Sequence, residues 1–405
     1  MANVMDYMAW RGEFGFDLSP WNEVDALMMS NLCYLNFHGI DDERGWTIAE
    51  ARRLDLLQKT EVANFEGRQA QFEAMADTFR FSGIRMHHFI TLTDPSQELQ
   101  FSATCYDMPD GTLCIGFRGT DGTLVGWRED FNMSYQATVP AQEAAVYYLE
   151  KAAEMDSRRI RIVGHSKGGN LAAYAAACSR PEIQDRLEAV YSFDGPGMNP
   201  EIFAGEGYQR VVGKIRSYVP ETSIVGMMME YHRDYTVVKS DASGINQHDP
   251  LTWQVYGPKF VTAEKIDETA EVVSDTLHEW LDQTNRGERA KMVDALFGLI
   301  ESTRATTVAE VMGERLKSLT SMVLGTRDLD PVSRKTVTKL IGLFLSLGFG
   351  RVTEKYRLKR KDRTEEEKPD SAQAAADDAD EEDEAAEDGG EETGTAEEET
   401  GNTEE

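Results

Sequence analysis

One stretch constrains the fold more than any other, because its pattern changes twice within twenty residues. Residues 159–163 read R-I-R-I-V, which is typical of a buried strand, and an Ala-rich segment at 171–177 favours a helix. Between them stands G-H-S-K-G-G, so a G-x-S-x-G pattern falls at the change from strand to helix. This order predicts a nucleophile elbow, a sharp turn that holds a serine clear of its own backbone. Ser166 is therefore a candidate nucleophile.

The residues around Ser166 fit that geometry. Gly164 and Gly168 carry no Cβ where a strained turn presses against its neighbours. A helix that begins directly after the serine points free backbone N–H groups towards developing negative charge. The N–H of Lys167 is then the first candidate oxyanion donor. The alternative is a glycine turn that only joins a strand to a helix.

Periodicity elsewhere predicts an alternation of helices and strands. Helices are predicted from Ser19 and Pro20 through about residue 35, then at 47–59, 68–79 and 141–155. Strands are predicted at 86–92, 99–106, 113–117, 189–193, 214–219 and 235–238. We expect His87 and His88 to point to opposite faces of their strand, which argues against one site that holds both.

Three motifs in sequence order resemble a known family. They are F-R-G-T at 117–120, W-x-x-D-F at 127–131 and G-H-S-x-G-G at 164–169, and together they resemble the class 3 lipase branch of the α/β-hydrolases. With the early W-R-G and the later F-D-G-P-G and H-D-P-L-T-W, about residues 1–260 resemble more closely a bacterial family of Mbeg1-like proteins. The resemblance implies an α/β-hydrolase fold, a mostly parallel sheet flanked by helices, and a hydrolase activity without naming a substrate. It also implies that Thr120 contributes to an oxyanion hole.

Candidates for the base follow from chain order. In α/β-hydrolases the triad runs serine, acid, histidine, which leaves His232, His248 and His278. We favour His248, because it lies in a predicted loop between two strand-like segments and loops commonly carry catalytic side chains. His232 is the alternative, although its segment continues like a helix or strand. His278 falls in a predicted helix and is expected at the surface.

Two residues compete for the acid. Asp194 follows the strand at 189–193, so its carboxylate should emerge beside the nucleophile strand. Glu221 follows the next strand, where most α/β-hydrolases place the acid and where class 3 lipases carry an aspartate. We favour Asp194 and keep Glu221 as the alternative. The non-catalytic reading of Asp194 is a turn residue that bonds its own backbone, as Asp before Gly often does.

Composition divides the chain into three predicted parts. Residues 1–260 form the hydrolase domain, and 261–363 form an appended helical region with helices at 267–281, 288–302, 308–324 and 333–355. Residues 364–405 hold 20 acidic residues against one lysine, whereas the rest of the chain holds 52 against 41. A segment of this composition cannot bury enough apolar surface to fold, so the tail should be disordered. It would serve as a solubilising tail or as an acidic arm for a basic partner.

Charge and cysteine usage narrow the class of protein. A net charge of −30 makes nucleic acid an unfavourable partner. Four scattered cysteines without paired spacing, and an N-terminus without signal-peptide features, favour a reduced, cytoplasmic setting. The apolar and then basic segment at 340–361 is too short to span a bilayer, but it suits either peripheral contact with an anionic membrane surface or a core helix. We expect no metal and no cofactor.

Two functional hypotheses follow. The first is a serine hydrolase of esterase or lipase type, which cleaves a small acyl ester or a lipid through Ser166, His248 and an acid. The second is a hydrolase-fold protein that has lost catalysis and acts as a binding or scaffold module. Residues 227–229, three successive methionines, would line an adaptable acyl pocket or belong to the core. Oligomeric state does not follow from the sequence.

Overall fold

The structure is a computed structural model that describes residues 2–60, 62–121, 124–229, 234–302, 331–332 and 334–335. The predicted helix at 308–324, nearly all of that at 333–355, the segment at 340–361 and the acidic tail lie outside the described residues. His232 lies outside them as well.

Twelve strands are present in the described part of the chain. They are β1 (Asn36–Phe37), β2 (Trp46–Thr47), β3 (Leu57–Gln58), β4 (Arg85–Asp94), β5 (Leu99–Asp107), β6 (Leu113–Phe117), β7 (Ile160–His165), β8 (Leu187–Phe193), β9 (Ile215–Pro220), β10 (Tyr235–Val238), β11 (Val255–Tyr256) and β12 (Lys259–Phe260).

Thirteen α-helices accompany them in the same residues. They are α1 (Val4–Arg11), α2 (Glu23–Leu32), α3 (Ile48–Arg53), α4 (Phe65–Ala76), α5 (Phe79–Ser82), α6 (Leu124–Asn132), α7 (Pro140–Met155), α8 (Lys167–Cys178), α9 (Pro181–Arg186), α10 (Pro200–Phe203), α11 (Glu206–Val211), α12 (Glu268–Gln283) and α13 (Arg286–Ser302). Short 3₁₀ turns occupy Val212–Lys214, Gly244–His248 and Pro250–Thr252.

Eight of the strands form one central sheet, in the order β10-β9-β8-β7-β6-β5-β4-β2. The five strands from β6 to β10 are parallel to one another, whereas β5, β4 and β2 continue the sheet from β6 with antiparallel pairing. The nucleophile strand β7 therefore lies inside the parallel part. Because parallel strands end at one edge of a sheet, the loops after β6, β7, β8 and β9 open on the same side.

Helices cover both faces of this sheet, which explains why its central strands are apolar on both sides. On one face, Val163 and Phe193 pack into a core with α2 and α4. On the other, Ile162 and Val190 pack into a core with α7 and α8. This mixed, mostly parallel sheet flanked by helices confirms the predicted α/β architecture.

Some element boundaries differ from the prediction for identifiable reasons. Helix α2 begins at Glu23 rather than at Ser19, because Asn22 caps it and Asp25 closes the capping box. The predicted helix at 47–59 ends at Arg53, and the chain then forms β3 against β1.

The expectation for His87 and His88 was wrong. A register shift follows His87 in the β4–β5 pairing, and His88 adopts a left-handed backbone with φ of 51°. This bulge turns both imidazoles to one side, so that their Nδ1 atoms lie 2.5 Å apart. A strict two-residue period does not hold across a bulge, and no simple sequence signal announced this one.

The first two helices of the predicted C-terminal region are present as α12 and α13. Ser274 of α12 donates a hydrogen bond to the carbonyl oxygen of Met227, and Arg289 of α13 donates to that of Ser134. The domain boundaries at residues 260 and 363 stay predictions. No helix in the described ranges is long and apolar enough to cross a membrane.

Candidate active site

The elbow around Ser166 has the strained geometry that the sequence predicted. Strand β7 ends at His165 and helix α8 begins at Lys167, so Ser166 alone makes the turn. Its φ of 58° and ψ of −133° lie outside the regions that L residues prefer, and such strain commonly occurs at functional sites. The turn is held because the N–H of Ser166 donates to the carbonyl oxygen of Phe193, at 2.9 Å.

Two glycines make this turn possible. A Cβ on Gly164 would lie 2.0 Å from the carbonyl oxygen of Gly168, inside the elbow itself. A Cβ on Gly168 would lie 2.2 Å from the carbonyl oxygen of Phe117, at the end of β6. Both distances are far below van der Waals contact, so the elbow requires glycine at both positions.

His248 reaches Ser166 from a distant part of the chain. It is the last residue of the 3₁₀ turn Gly244–His248, and its imidazole is 28% exposed. Its Nε2 lies 3.0 Å from Ser166 Oγ, and its Nδ1 lies 2.6 Å from Asp194 Oδ2. An ionised carboxylate only accepts, so Nδ1 carries the proton and Nε2 is left to accept from the serine hydroxyl.

Asp194 is fixed from several directions. It follows β8 with φ of 47°, is 1% exposed, and donates its N–H to the carbonyl oxygen of Tyr218 at 2.7 Å. Its Oδ1 accepts from the Ser223 hydroxyl at 2.5 Å and from the Gly226 N–H at 3.1 Å. Those bonds leave Oδ2 for His248. The carboxylate thus bonds to residues far along the chain, and not to its own turn.

The alternative candidates lie elsewhere. Among the described residues, the Glu221 carboxylate makes no hydrogen bond or ion pair with an imidazole; its carbonyl oxygen accepts from the N–H of Asp267 at 2.7 Å. His278 is half-buried on α12, where its Nε2 lies 2.8 Å from the carbonyl oxygen of Met229. It is therefore less exposed than the sequence suggested.

The candidate oxyanion donors flank the serine. Gly119, which precedes Thr120, lies against the elbow, since a Cβ there would be 3.1 Å from that of Ser166. Among the described residues, the backbone N–H groups of Thr120 and Lys167 donate to no other group. The Thr120 hydroxyl donates to Asp130 Oδ2 at 2.5 Å. Both backbone donors are thus available to an incoming oxygen.

The side chain of Lys167 ties the elbow to the neighbouring helix. It is 1% exposed, and its Nζ donates to Glu129 Oε2 at 2.9 Å and to the Gln100 carbonyl oxygen at 2.8 Å. The adjacent carboxyl of Asp130 lies 3.9 Å from the same nitrogen. Burial raises the pKa of Asp130 to about 6, and outweighs the opposing effects of the Lys167 charge and the Thr120 hydrogen bond.

Several supporting residues were not found from the sequence. They hold the acid or the histidine turn, and they are Ser223, Gly226, Gln247 and Trp253. Gln247 Oε1 accepts from the Thr222 N–H at 2.9 Å, and Trp253 Nε1 donates to the Gln247 carbonyl oxygen at 2.7 Å. These contacts depend on which loops meet in the folded chain, so no local sequence pattern predicts them. Among the residues that support the site, only Glu129 and Asp130 lie in a motif found from the sequence, W-x-x-D-F.

The methionine segment belongs to the core. Met227 packs with Val219, Val237 and Ile266, and Met229 packs with Met133 and Val139. Met227 also lines a cavity of about 30 Å³ beside the loop after β8, which is room for about two water molecules. Within the described ranges, no group of three or more His, Cys, Asp or Glu side chains is arranged to hold a metal ion.

Known proteins were compared with the chain by structure and by sequence. Two solved structures are similar to it: an M37 lipase, with 15% identity over 51% of this chain and 68% of that one and a TM-score of 0.32, and a triacylglycerol lipase from Penicillium expansum, with 12% identity over 46% and 76% and a TM-score of 0.27. No curated protein matches the sequence.

The Mbeg1-like family model matches residues 75–298, more than half of the 405 residues. The matched segment includes Ser166, Asp194 and His248, and extends beyond residue 260, where the resemblance in sequence was expected to end. The predicted family is confirmed, and the chain belongs to the Mbeg1-like family.

Proposed function

We propose that the chain is a serine hydrolase that cleaves acyl esters, with Ser166 as nucleophile, His248 as base and Asp194 as the acid that orients it. The observation that carries this proposal is the pair of hydrogen bonds at 3.0 Å and 2.6 Å that links these side chains. A serine hydroxyl is a weak nucleophile unless a base removes its proton. The exposed fraction of His248 leaves an approach for a substrate.

In the first half of the reaction, His248 Nε2 takes the hydroxyl proton while Ser166 Oγ bonds to the ester carbonyl carbon. The carbonyl oxygen becomes an oxyanion, which the N–H groups of Lys167 and Thr120 stabilise. His248 then gives its proton to the departing alcohol oxygen as the carbon–oxygen bond breaks. An acyl-enzyme and a free alcohol result.

Water completes the reaction in the second half. His248 Nε2 removes a proton from the water, the resulting oxygen bonds to the acyl carbon, and the bond to Ser166 Oγ breaks. The proton returns to Ser166, and a carboxylic acid leaves. Throughout, Asp194 keeps the proton on Nδ1 and stabilises the imidazolium that forms twice per cycle.

We propose a small acyl ester or a lipid as substrate class, from the resemblance of the F-R-G-T, W-x-x-D-F and G-H-S-x-G-G motifs to class 3 lipases. A cytoplasmic location is part of the same proposal. Its support is that all four cysteines are free, and that three of them, Cys33, Cys105 and Cys114, are buried.

Hydrolysis of p-nitrophenyl esters from acetate to palmitate tests the proposal. We expect turnover by the wild-type chain, and a loss of about 10³-fold or more in Ser166→Ala with an unchanged circular dichroism spectrum. The dependence on acyl length then assigns the substrate class. A folded wild type with no activity on any ester would favour the binding or scaffold hypothesis instead.

A further inference from the structure

The residue before the nucleophile makes two contacts that the triad does not use. His165 is 3% exposed, and its Nε2 lies 2.8 Å from the backbone carbonyl oxygen of His248. Its Nδ1 lies 2.9 Å from the hydroxyl of Tyr34, and its ring lies against that of His248 with centroids 4.6 Å apart. His165 therefore bridges the N-terminal layer and the turn that carries His248.

The two partners determine where the proton on His165 lies. A carbonyl oxygen only accepts hydrogen bonds, so Nε2 must carry hydrogen. Burial, helped by the charges of His248 and Arg68, holds the pKa of His165 well below its usual value, so the ring is neutral. Nδ1 is then unprotonated and accepts from the Tyr34 hydroxyl. Of the two neutral tautomers, only this one satisfies both contacts.

Tyr34 is itself held in place. It follows α2, is 2% exposed, and its ring lies 4.2 Å from the guanidinium carbon of Arg68 on α4. Arg68 donates in turn to the carbonyl oxygen of Ala63 at 2.6 Å. The cation attracts the face of the phenol ring and so holds it in place, while burial raises the pKa of Tyr34 and keeps its hydroxyl protonated.

The contact matters because it holds the main chain of His248 itself, whereas Trp253 and Asn64 hold the neighbouring residues Gln247 and Asp249. A carbonyl fixed at 2.8 Å fixes the backbone from which the imidazole projects, and thereby its aim at Ser166. Without the His165 Nε2–H donor, the carbonyl oxygen of His248 would lack a hydrogen bond unless the turn shifted to find another partner. Neither the Tyr34 nor the His165 side chain has a contact with Ser166 Oγ or Asp194, so neither is a catalytic residue. The Tyr34 hydroxyl also lies 3.3 Å from the His165 carbonyl oxygen, which places it against the elbow as well.

We propose that Tyr34 and His165 are positioning residues for His248: the Tyr34 hydroxyl holds the His165 ring through Nδ1, and His165 Nε2–H fixes the carbonyl of His248. This inference rests on the proposed function, since it assigns His248 as the base.

Three variants test it: His165→Leu, which removes the donor; His165→Gln, whose amide nitrogen stands the same number of bonds from Cβ as Nε2; and Tyr34→Phe. We expect His165→Leu to lower kcat by about 10–100-fold with KM nearly unchanged, since one buried hydrogen bond is lost. His165→Gln should recover kcat to within about 5-fold of the wild type, and Tyr34→Phe should lower it by about 3–10-fold.

Rates are expressed per serine that reacts with a fluorophosphonate, so that unfolded molecules do not count. A merely structural role would lower the melting temperature and leave this normalised kcat unchanged, and that result in His165→Leu would overturn the proposal. Equal losses in the Gln and Leu variants would overturn it as well.

A second readout does not depend on catalysis. In protein labelled with ¹⁵N-histidine, we expect the His165 resonances at neutral pH to report the Nε2–H tautomer. Tyr34→Phe should keep that tautomer and shift the Nδ1 resonance, because Nδ1 loses its hydrogen bond while Nε2–H keeps the His248 carbonyl. An imidazolium or an Nδ1–H tautomer of His165 in the wild type would contradict the proposed positioning role. A wild type with the expected tautomer but no esterase activity would instead contradict the proposed function.

Discussion

The serine and the histidine of the candidate site are positioned in opposite ways. Ser166 is fixed largely by residues within a few positions of it, through the strained turn and the glycines at 164 and 168, with one backbone hydrogen bond to Phe193 on the adjacent strand. His248 is fixed by contacts across long stretches of chain: His165 is 83 positions away, Asp194 is 54, and Asn64 bonds to the adjacent Asp249 across 185. In the hydrogen bond between Ser166 Oγ and His248 Nε2, the serine is positioned mostly by its own segment. The histidine is positioned only when distant parts of the chain have folded together.

This difference determines whether a substitution near Ser166 or near His248 should lower stability or activity. Substitutions at the elbow act on the fold, because the turn is part of the central sheet. Substitutions around the histidine turn should leave the fold intact and change the rate, because Ile245 and Asn246 of that turn are exposed and the His248 imidazole is 28% exposed. The following predictions test this contrast, in order of decreasing effect.

Asp194→Asn should give the largest loss among these substitutions, about 10³–10⁴-fold in kcat. An amide offers His248 a donor as easily as an acceptor, so the imidazole loses the tautomer that leaves Nε2 free for Ser166. Asn tolerates the left-handed backbone at this position, so the fold should survive. Steady-state kinetics with an activated ester measure the loss.

Glu221→Gln is the matched control for the acid. It removes the competing carboxylate, and we expect kcat to stay within about 2-fold of the wild type, because the mutated group makes no contact with His248. A large loss in Glu221→Gln together with an active Asp194→Asn would reverse the assignment of the acid.

Gly164→Ala tests the local half of the comparison. The new Cβ would meet the backbone of Gly168 at 2.0 Å, and backbone inside the elbow cannot move aside. We expect the free energy of unfolding to fall by about 3 kcal/mol, as measured by urea denaturation. Gly213→Ala is the control, because no atom lies within 4 Å of the added Cβ. Equal stability of the two variants would show that the elbow is less constrained than its geometry implies.

Asp130→Asn tests an electrostatic effect beside the elbow. Burial raises the pKa of Asp130 to about 6 from 3.8, so the folded state favours the neutral carboxyl. Its contribution to stability is complete below the unfolded pKa and is lost as pH rises through 6. Relative to the wild type, the variant should therefore gain about 1 kcal/mol between pH 5 and pH 8. Urea denaturation at both pH values measures this gain, and a pH-independent difference would contradict it.

The smallest effect is expected where Asn64 holds the histidine turn from outside. Its Nδ2 donates to Asp249 Oδ2 at 2.6 Å, while its Oδ1 caps α4 by accepting from the Gly67 N–H. Asn64→Asp keeps the cap but sets two carboxylates against each other, so we expect kcat to fall by about 3-fold. The double variant with Asp249→Asn reverses the donor and acceptor and should restore the rate. No recovery in the double variant would show that this contact does not position the turn.

The same contrast explains what the sequence could predict. Strand, glycines and Ala-rich helix are contiguous around Ser166, so a local pattern sufficed for the elbow and for the alternating α/β architecture. Asp194 could be favoured because it follows the strand next to β7. The residues that hold it, Ser223 and Gly226, come from another loop and left no signal.

His165 illustrates the limit most clearly. It stands inside the motif that revealed the nucleophile, yet its side chain has no role that G-x-S-x-G implies. Its partners, Tyr34 and the backbone of His248, come together only when the N-terminal layer and the turn after β10 pack around the elbow. The bulge at His88 is similar, since a left-handed residue inside a strand reverses the face that alternation assigns.

The most direct test of the proposed triad is labelling by a fluorophosphonate, read as intact mass, in the wild type and in Ser166→Ala. We expect one adduct on the wild type and none on the variant, because only an activated serine attacks the phosphorus centre. A folded wild type that forms no adduct, or an adduct of equal yield on both proteins, would contradict it.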